Sequence, residues 1–396
     1  MDESWSRLEL ETEAARQQAI GFANRVMTAA GGTHLLSDLE WALCGGDCTD
    51  NLLVYGFDRG EAGAGFALFR IQQRPLKFRV GELTLFQVGL TRYDLWQQPI
   101  IVVAGADQGS WTAQASALLA RLHLDLPARS ALGVEGVQMA GMFLRLLSAH
   151  PDFSTLQMGA PFKHQFINMP SSYEAYLAGL GASSRKTFLY RQRRLYRVCE
   201  GVVALRRFSQ PEEVEGFLDG AVAVSQKTYQ WQLLGLGLRN RKGLARRLDF
   251  AAKRGWLCSY LLYCQEKPVA FMLGYHHGRC YHYIDVGFDR DWGKHSVGSV
   301  LQLEVMADLY RLEVPPERFD FSTGFGEHKA RFGNREEAEV NLLLFPKNLS
   351  NQALVTSYRG FEWCMEGLLG LLERMGVKQT IKKALRRSAG LFSSDK

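Results

Sequence analysis

The sequence predicts an α+β protein with mixed, mainly antiparallel sheets flanked by helices, and three observations carry that expectation. Apolar, aromatic-rich runs follow one another across tight Gly/Asp turns, the hairpin signature, as in Leu52–Phe57, Asp58-Arg59-Gly60, then Phe66–Ile71. Segments with a single apolar face at helical spacing stand between these runs, as in Trp111, Ala115, Leu118, Leu119 and Leu122. Hydrophobic residues make up 46% of the 396 residues and charged residues 22%, enough apolar surface for each half to bury its own core.

Taken in order, residues 5–30 read as a helix rich in Glu, Ala and Arg that ends near Gly31-Gly32. The hairpin above follows, then strands over Glu82–Val88 and Ile100–Val103, the Trp111–Leu122 helix, and a helix or buried strand over Met139–Leu147. The chain restarts after Gly159-Ala160-Pro161. Ser171 reads as a helix cap with Glu174 three residues on. A basic helix spans Ser184–Val198, and Val203–Phe208 is a short strand. Helices over Pro211–Tyr229 and Arg241–Arg254 precede strands over Trp256–Cys264, Val269–His276 and Cys280–Val286, with Gly278-Arg279 as the last turn. A helix over Val297–Leu312 leads to strands over Arg318–Phe321 and Glu339–Phe345. Phe361, Met365, Leu368, Leu372 and Met375 have helical spacing, and Lys378, Lys382, Lys383, Arg386 and Arg387 cluster behind them. The expected division is 1–160, 161–346, and a helical, basic extension over 347–396.

The formal net charge of +6 suits an anionic small molecule or an anionic surface better than nucleic acid, for which no motif is present. Seven cysteines, odd in number and scattered, argue against a disulfide framework and for a reducing compartment. Cys44 and Cys48 have no second Cys/His pair at finger spacing, and His276 and His277 point to opposite faces of a strand, so no metal is expected. No signal-peptide pattern opens the chain and no apolar run reaches spanning length, which gives a cytoplasmic expectation. The basic C-terminal helix reads either as a packed helix with solvated charges or as a contact with a partner or an anionic membrane, peripheral to the inner membrane.

Two stretches carry the chemistry. Tyr281–Asp289 is an alternating strand that enters the loop Gly293-Lys294-His295-Ser296, and this opens a helix at Val297-Gly298-Ser299. Free amides and the positive dipole end of a helix start attract phosphate, and glycines let a ligand approach the backbone. Directly after that helix comes Asp320-Phe321-Ser322-Thr323-Gly324-Phe325-Gly326-Glu327-His328-Lys329-Ala330-Arg331-Phe332-Gly333, a strand end running into a Gly loop crowded with His, Lys and Arg. The basic helix carries Arg185, Lys186, Arg191, Arg193, Arg194 and Arg197; it reads as a solvated face or as a clamp for phosphate or a charged acceptor.

These stretches resemble the paired motifs of the CelD-like branch of the GNAT acetyltransferases. The matching parts, in order, are Gly287-Phe288-Asp289, Ser296-Val297-Gly298, Asp320-Phe321-Ser322-Thr323-Gly324 and Lys329. Ser183–Thr187 resembles the family's Arg/Lys-rich helix, preceded by Tyr173, Tyr176 and Leu177. Tyr93-Asp94 and Pro99 resemble a strand end of its first half. The Fem-type peptidoglycan aminoacyltransferases share the double-GNAT layout and the Lys-x-x-Phe-Gly element. The resemblance implies two tandem GNAT-like domains, with acetyl-CoA or another acyl-CoA held in the second by residues 293–299. It departs from ordinary GNAT enzymes at the pyrophosphate loop, where the first basic or amide residue of Arg/Gln-x-x-Gly-x-Gly is missing; Lys294 or the basic helix is the replacement charge.

Direct attack of an amine or hydroxyl on a thioester needs a positioned donor, a base and a stabilised oxyanion. Strand amides near Tyr283–Asp285 are candidates for the carbonyl, His328 and then Asp285 for the base, and Lys329 for the developing charge. Arg185, Lys186, Asp320, Ser322, Gly324 and Gly326 are the expected acceptor-side residues. Three functions fit: acyl transfer to a polysaccharide precursor, amino sugar or other envelope component; Fem-type aminoacyl transfer to a cell-wall precursor; or a catalytically silent module that binds glycan or assembles an envelope-synthesis complex.

Overall fold

A computed structural model describes residues 5–30, 35–44, 49–60, 63–81, 83–96, 101–103, 108–228, 238, 241–322 and 326–374. By their contacts the residues group into two units, one comprising 1–15, 50–160 and 340–396, the other 16–49 and 161–339. The grouping is discontinuous and differs from the contiguous 1–160, 161–346 and 347–396 division. The described residues after Glu339 belong to the first unit, and those between 16 and 49 to the second.

In the first unit, strands Ser6–Arg7, Leu52–Asp58, Ala64–Gln73 and Thr91–Trp96 pair antiparallel in that order. Thr91–Trp96 then pairs parallel with Ser130–Gln138, the connection being made through helix Gln108–Asp125. The first residues thus form a strand before helix Glu13–Ala29, where one continuous helix over 5–30 was expected. Trp5 is the reason: its ring is buried against Phe57, and its indole N–H donates to the Gln114 carbonyl at 2.9 Å. A separate hairpin, Leu76–Val80 with Leu83–Val88, packs Phe78 on Tyr358 and Phe361 of helix Leu349–Arg374. Asp94 is buried and bound to Arg92 and Arg74, while Pro99 lies outside the described residues.

The second unit is a seven-stranded sheet in the order Arg335–Glu339, Phe162–Asn168, Arg318–Asp320, Cys280–Phe288, Lys267–His277, Ser259–Cys264, Val203–Phe208. Every pair is antiparallel except Cys280–Phe288 with Arg318–Asp320. Helices cover both faces, which explains strands that are apolar nearly throughout. Tyr260, Leu262, Ala270, Met272, Tyr281 and Tyr283 share one core with helices Ala182–Val198 and Val297–Leu309. Their neighbours Leu261, Phe271, Leu273 and Tyr275 share the other with helices Val214–Ser225 and Arg241–Lys253 and with Leu35 and Trp41. The period of two along a strand assigns each residue its face.

Local chemistry corrects several details of the expectation. Ser172, not Ser171, caps helix Tyr173–Gly179, accepting from the Ala175 amide. Pro211–Glu213 is a 3-10 turn held by a Gln210/Glu213 capping box, and the α-helix begins only at Val214. The expected Gly loop after Asp320 contains a short helix, Glu327–Phe332. Cys199 and Cys264, both buried, form a disulfide where none was expected; the end of the basic helix packs on the end of strand Ser259–Cys264, joining residues 65 apart in sequence. The basic cluster at 378–387 lies outside the described residues.

Gly274 marks the tightest approach in the sheet, because a Cβ there would run into the Tyr281 phenol. That phenol is fully buried and donates to the Cys258 carbonyl at 3.0 Å. Gly274→Ala is expected to destabilise the protein by about 1–3 kcal/mol through overpacking, read as a lower urea midpoint with unchanged slope.

Candidate active site

The site forms where the sheet's parallel pair comes apart. Cys280–Phe288 and Arg318–Asp320 are in register for three residues only, ending at His282 opposite Asp320. Past that point the second chain turns away at Ser322, whose φ of 59° is left-handed. The Asp320 carboxylate holds the turn by accepting from the Ser322 amide at 2.8 Å. The Ser322 hydroxyl makes the last tie between the two chains, donating to the Tyr283 carbonyl at 2.7 Å.

The other edge of the same strand is interrupted at the same level. Leu273 stands opposite Asp285 and Gly274 opposite Tyr283, which leaves Ile284 as the extra residue of a bulge. A bulge leaves backbone groups outside the ladder. On either side of it, Tyr283 and Val286 line a cavity of about 500 Å³, together with Gly287 and Phe288 of the same strand, His328 and Phe332, and the start of helix Val297–Leu309.

That helix begins without a side-chain cap. Ser296 is left-handed (φ 58°, ψ 36°) and its carbonyl accepts from the amides of Ser299 and Val300, so the amides of Val297 and Gly298 lie in the uncapped first turn. Gly293, Ser296, Val297, Gly298 and Ser299 all line the cavity, as does Arg290. Lys294 and His295 do not line it; the His295 ring packs near Trp292, 5.6 Å between centroids. Arg191 of the basic helix donates to the Ser299 hydroxyl at 3.4 Å. Arg185 and Lys186 lie in the first turn of the basic helix and away from the cavity lining.

Among the proposed chemical groups, His328 and Tyr283 come together. The Tyr283 phenol and His328 Nε2 are 3.4 Å apart, and both line the cavity. Crowding by protein, and then the neighbouring Lys329 charge, push the His328 pKa below its ordinary value although the side chain reaches solvent. The ring is therefore neutral at pH 7, the form in which it accepts a proton. Burial raises the Tyr283 pKa, and nearby Asp285 adds to the shift, so the phenol stays protonated and can donate.

Gly326 seats the histidine: a Cβ there would stand 2.9 Å from the ring. Gly324 lies outside the described residues. Lys329 does not line the cavity. Its ammonium donates to the Ser322 carbonyl at 3.3 Å, and burial lowers its pKa. Asp285 does not line the cavity either; its carboxylate accepts from the Val286 amide at 2.8 Å, and burial raises its pKa.

Sequence reasoning missed two further groups. Gln302 follows Gly298 by one helical turn and lines the cavity with only 4% of its surface exposed, and its amide Nε2 has no protein partner. Buried donors normally find acceptors, so this one fits a ligand that brings an oxygen. His164 lies behind the Asp320 turn, 2.8 Å from the carboxylates of both Asp320 and Glu339. An apolar helix with one Gln was a legible signal; a lone His in a short strand was not. Among the described residues no group of His, Cys, Asp and Glu is arranged to hold a metal ion.

A strand pair that splays beside a bulge and an uncapped helix start thus meet at one cavity. Residues 182–330 match the acetyltransferase (GNAT) domain family, so the chain carries a GNAT-type acyltransferase domain there. The described residues form mixed, mainly antiparallel sheets flanked by helices, with a C-terminal helix, as the α+β expectation had it.

Among solved structures, FemX is similar with a TM-score of 0.57 at 12% identity, covering 88% of this chain and 99% of that one. The C-terminal domain of an Agrobacterium fabrum protein named for lysylphosphatidylglycerol synthetase is similar with a TM-score of 0.51 at 12% identity, covering 87% and 96%. A tandem GNAT protein from the clavulanic acid biosynthesis pathway has a TM-score of 0.45 at 11% identity, covering 87% and 100%. No curated protein matches in sequence.

Proposed function

We propose that the chain is an acyl-CoA-dependent N- or O-acyltransferase of the CelD-like branch, acetyl transfer being the first choice, acting on a polysaccharide precursor, an amino sugar or another envelope component. The single observation that supports it most is the shared cavity: Tyr283 and Val286–Phe288 of the strand and the helix start at Ser296–Ser299 line one space. The residues fit an acyl-CoA. The uncapped amides of Val297 and Gly298, with Arg290 and the Ser296 and Ser299 hydroxyls, suit a pyrophosphate. The unpartnered Gln302 amide suits an acceptor oxygen deeper in the cavity.

Bound acyl-CoA supplies an activated thioester carbonyl. The chain's own groups do the rest. Backbone amides at the Ile284 bulge donate to the carbonyl oxygen as charge develops on it. Neutral His328 takes the proton from the acceptor's amine or hydroxyl, and the Tyr283 phenol, beside it, donates to the departing sulfur. Lys329 holds the Ser322 carbonyl and with it the turn that is tied to the Tyr283 carbonyl.

Acetyl-CoA at about a hundred times its Kd is expected to stabilise the folded chain by about 2.7 kcal/mol, seen as a rise of several degrees in Tm. No shift with acetyl-CoA or longer acyl-CoAs would leave the silent glycan-binding or assembly module. The likeness to FemX along 88% of the chain favours one second reading, aminoacyl transfer to a cell-wall precursor. Stabilisation by charged tRNA and not by acyl-CoA selects it. No described helix is long and apolar enough to cross a membrane; peripheral contact through the basic residues at 378–387 is part of the proposal.

A further inference from the structure

Behind the Asp320 turn lies a buried charge cluster that the acyl-transfer chemistry does not use. His164 stands on strand Phe162–Asn168, between Arg318–Asp320 on one side and Arg335–Glu339 on the other. Its Nε2 lies 2.8 Å from Asp320 Oδ1 and its Nδ1 lies 2.8 Å from Glu339 Oε1. All three side chains are buried, at 3–5% exposure.

An ionised carboxylate only accepts hydrogen bonds, and a neutral imidazole has a single N–H. Two carboxylates on the two ring nitrogens are both satisfied only by the imidazolium. Burial works against that charge, but the hydrogen bonds and charges of Asp320 and Glu339 outweigh it and raise the His164 pKa to about 9. Arg318 contributes the second positive charge, 3.3 Å from the other Asp320 oxygen. His282 and Cys280 on the next strand, Glu337 opposite His164, and Lys329 near Asp320 are the other titratable groups around the cluster.

The cluster connects to the cavity through three hydrogen bonds. Asp320 Oδ1 accepts from His164 and from the Ser322 amide, and the Ser322 hydroxyl donates to the Tyr283 carbonyl. Ser322 holds a left-handed conformation that a non-glycine residue adopts at a cost, so the turn needs such a tether.

We propose that His164, kept as an imidazolium between Asp320 and Glu339, is a positioning residue that fixes the Asp320–Ser322 turn and through it the Tyr283 wall of the donor cavity. The role rests on the reading of that cavity as the acyl-donor site. Its pH sense follows from a folded pKa above the ordinary 6.5: the stabilisation is complete below about 6.5 and is lost as pH rises through about 9.

The test combines imidazole 1H–15N spectra of the full chain with kinetics. The His164 ring, assigned by its loss in His164→Asn, is expected to carry protons on both nitrogens up to about pH 8. A His164 ring that titrates near its ordinary value overturns the proposal. Because His164→Asn leaves two buried carboxylates without their common partner and so bears on folding itself, Glu339→Gln is the second variant: it keeps the shape and removes one charge.

Glu339→Gln is expected to lower the His164 midpoint by about one pH unit or more, and to move the alkaline limb of kcat/KM for acetyl-CoA down with it. A lowered midpoint with an unmoved limb overturns the positioning role. If the wild-type chain neither binds nor turns over any acyl-CoA, the donor reading fails by itself. The Tyr283 and His328 ring resonances then decide the matter: movement in step with the His164 titration supports the tether, and indifference to it overturns the tether.

Discussion

His328→Ala is expected to lower kcat about a hundredfold while leaving the KM for acetyl-CoA within about threefold, the pattern of a lost general base. The expectation follows from position first. His328 lines the cavity, sits 3.4 Å from the Tyr283 phenol, and is seated on a glycine whose Cβ would crowd it. Charge comes second. Crowding and Lys329 lower its pKa, so the neutral ring dominates at pH 7, and the acid limb of wild-type kcat/KM should lie below the ordinary histidine value. The variant should lose that limb altogether. Lys329→Ala, acting through the Ser322 carbonyl, should cost about tenfold. Near-wild-type turnover for the alanine at 328, measured by thiol release across pH, would remove the residue from the mechanism.

Gly298→Val tests the other side of the cavity. Gly298 stands in the uncapped first turn, and a Cβ there would reach Phe288 at 3.4 Å, ordinary contact. A single methyl is therefore tolerated by the protein, whereas the branched valine extends into the space proposed for the pyrophosphate. Acetyl-CoA affinity is expected to fall by at least about thirtyfold, roughly 2 kcal/mol, with the Tm of the unliganded protein moving by only a few degrees. Calorimetric titration gives the first number and a thermal melt the second. An unchanged Kd would place the donor elsewhere.

How much of this was legible in the sequence depends on the range of the interactions. Strands such as Cys280–Phe288 and helices such as Val297–Leu309 declare themselves because turns, alternation and an apolar surface are local properties. The loop at 293–299 was legible for the same reason, as glycine and serine before an apolar run. Tertiary effects were not. Trp5 needs the Gln114 carbonyl, more than a hundred residues away, to be held beside a strand rather than in a helix. Nothing in an alternating strand announces that Ile284 will be the extra residue of a bulge, since bulge and regular strand share a composition. Lys294 and the basic helix were the two expected sources of charge for the loop; Lys294, adjacent in sequence, does not line the cavity, whereas Arg191 of the basic helix reaches Ser299 and Arg290 lines the cavity from the preceding turn. His164 and Glu339 lie 156 and 19 residues from Asp320, a separation that no motif spans.

The second unit's core is not made of consecutive residues. Trp41 packs edge-on against Tyr275, its neighbour Asp38 faces His277, and Glu40 pairs with Arg254, all from the 35–44 segment. An excised piece cut to the family boundaries at 182–330 would leave behind this covering segment and also the strand that carries His164. It would uncover the Tyr275 ring that Trp41 packs against, and it is expected to self-associate through that bared apolar face. The second unit is complete only with residues 16–49 in place.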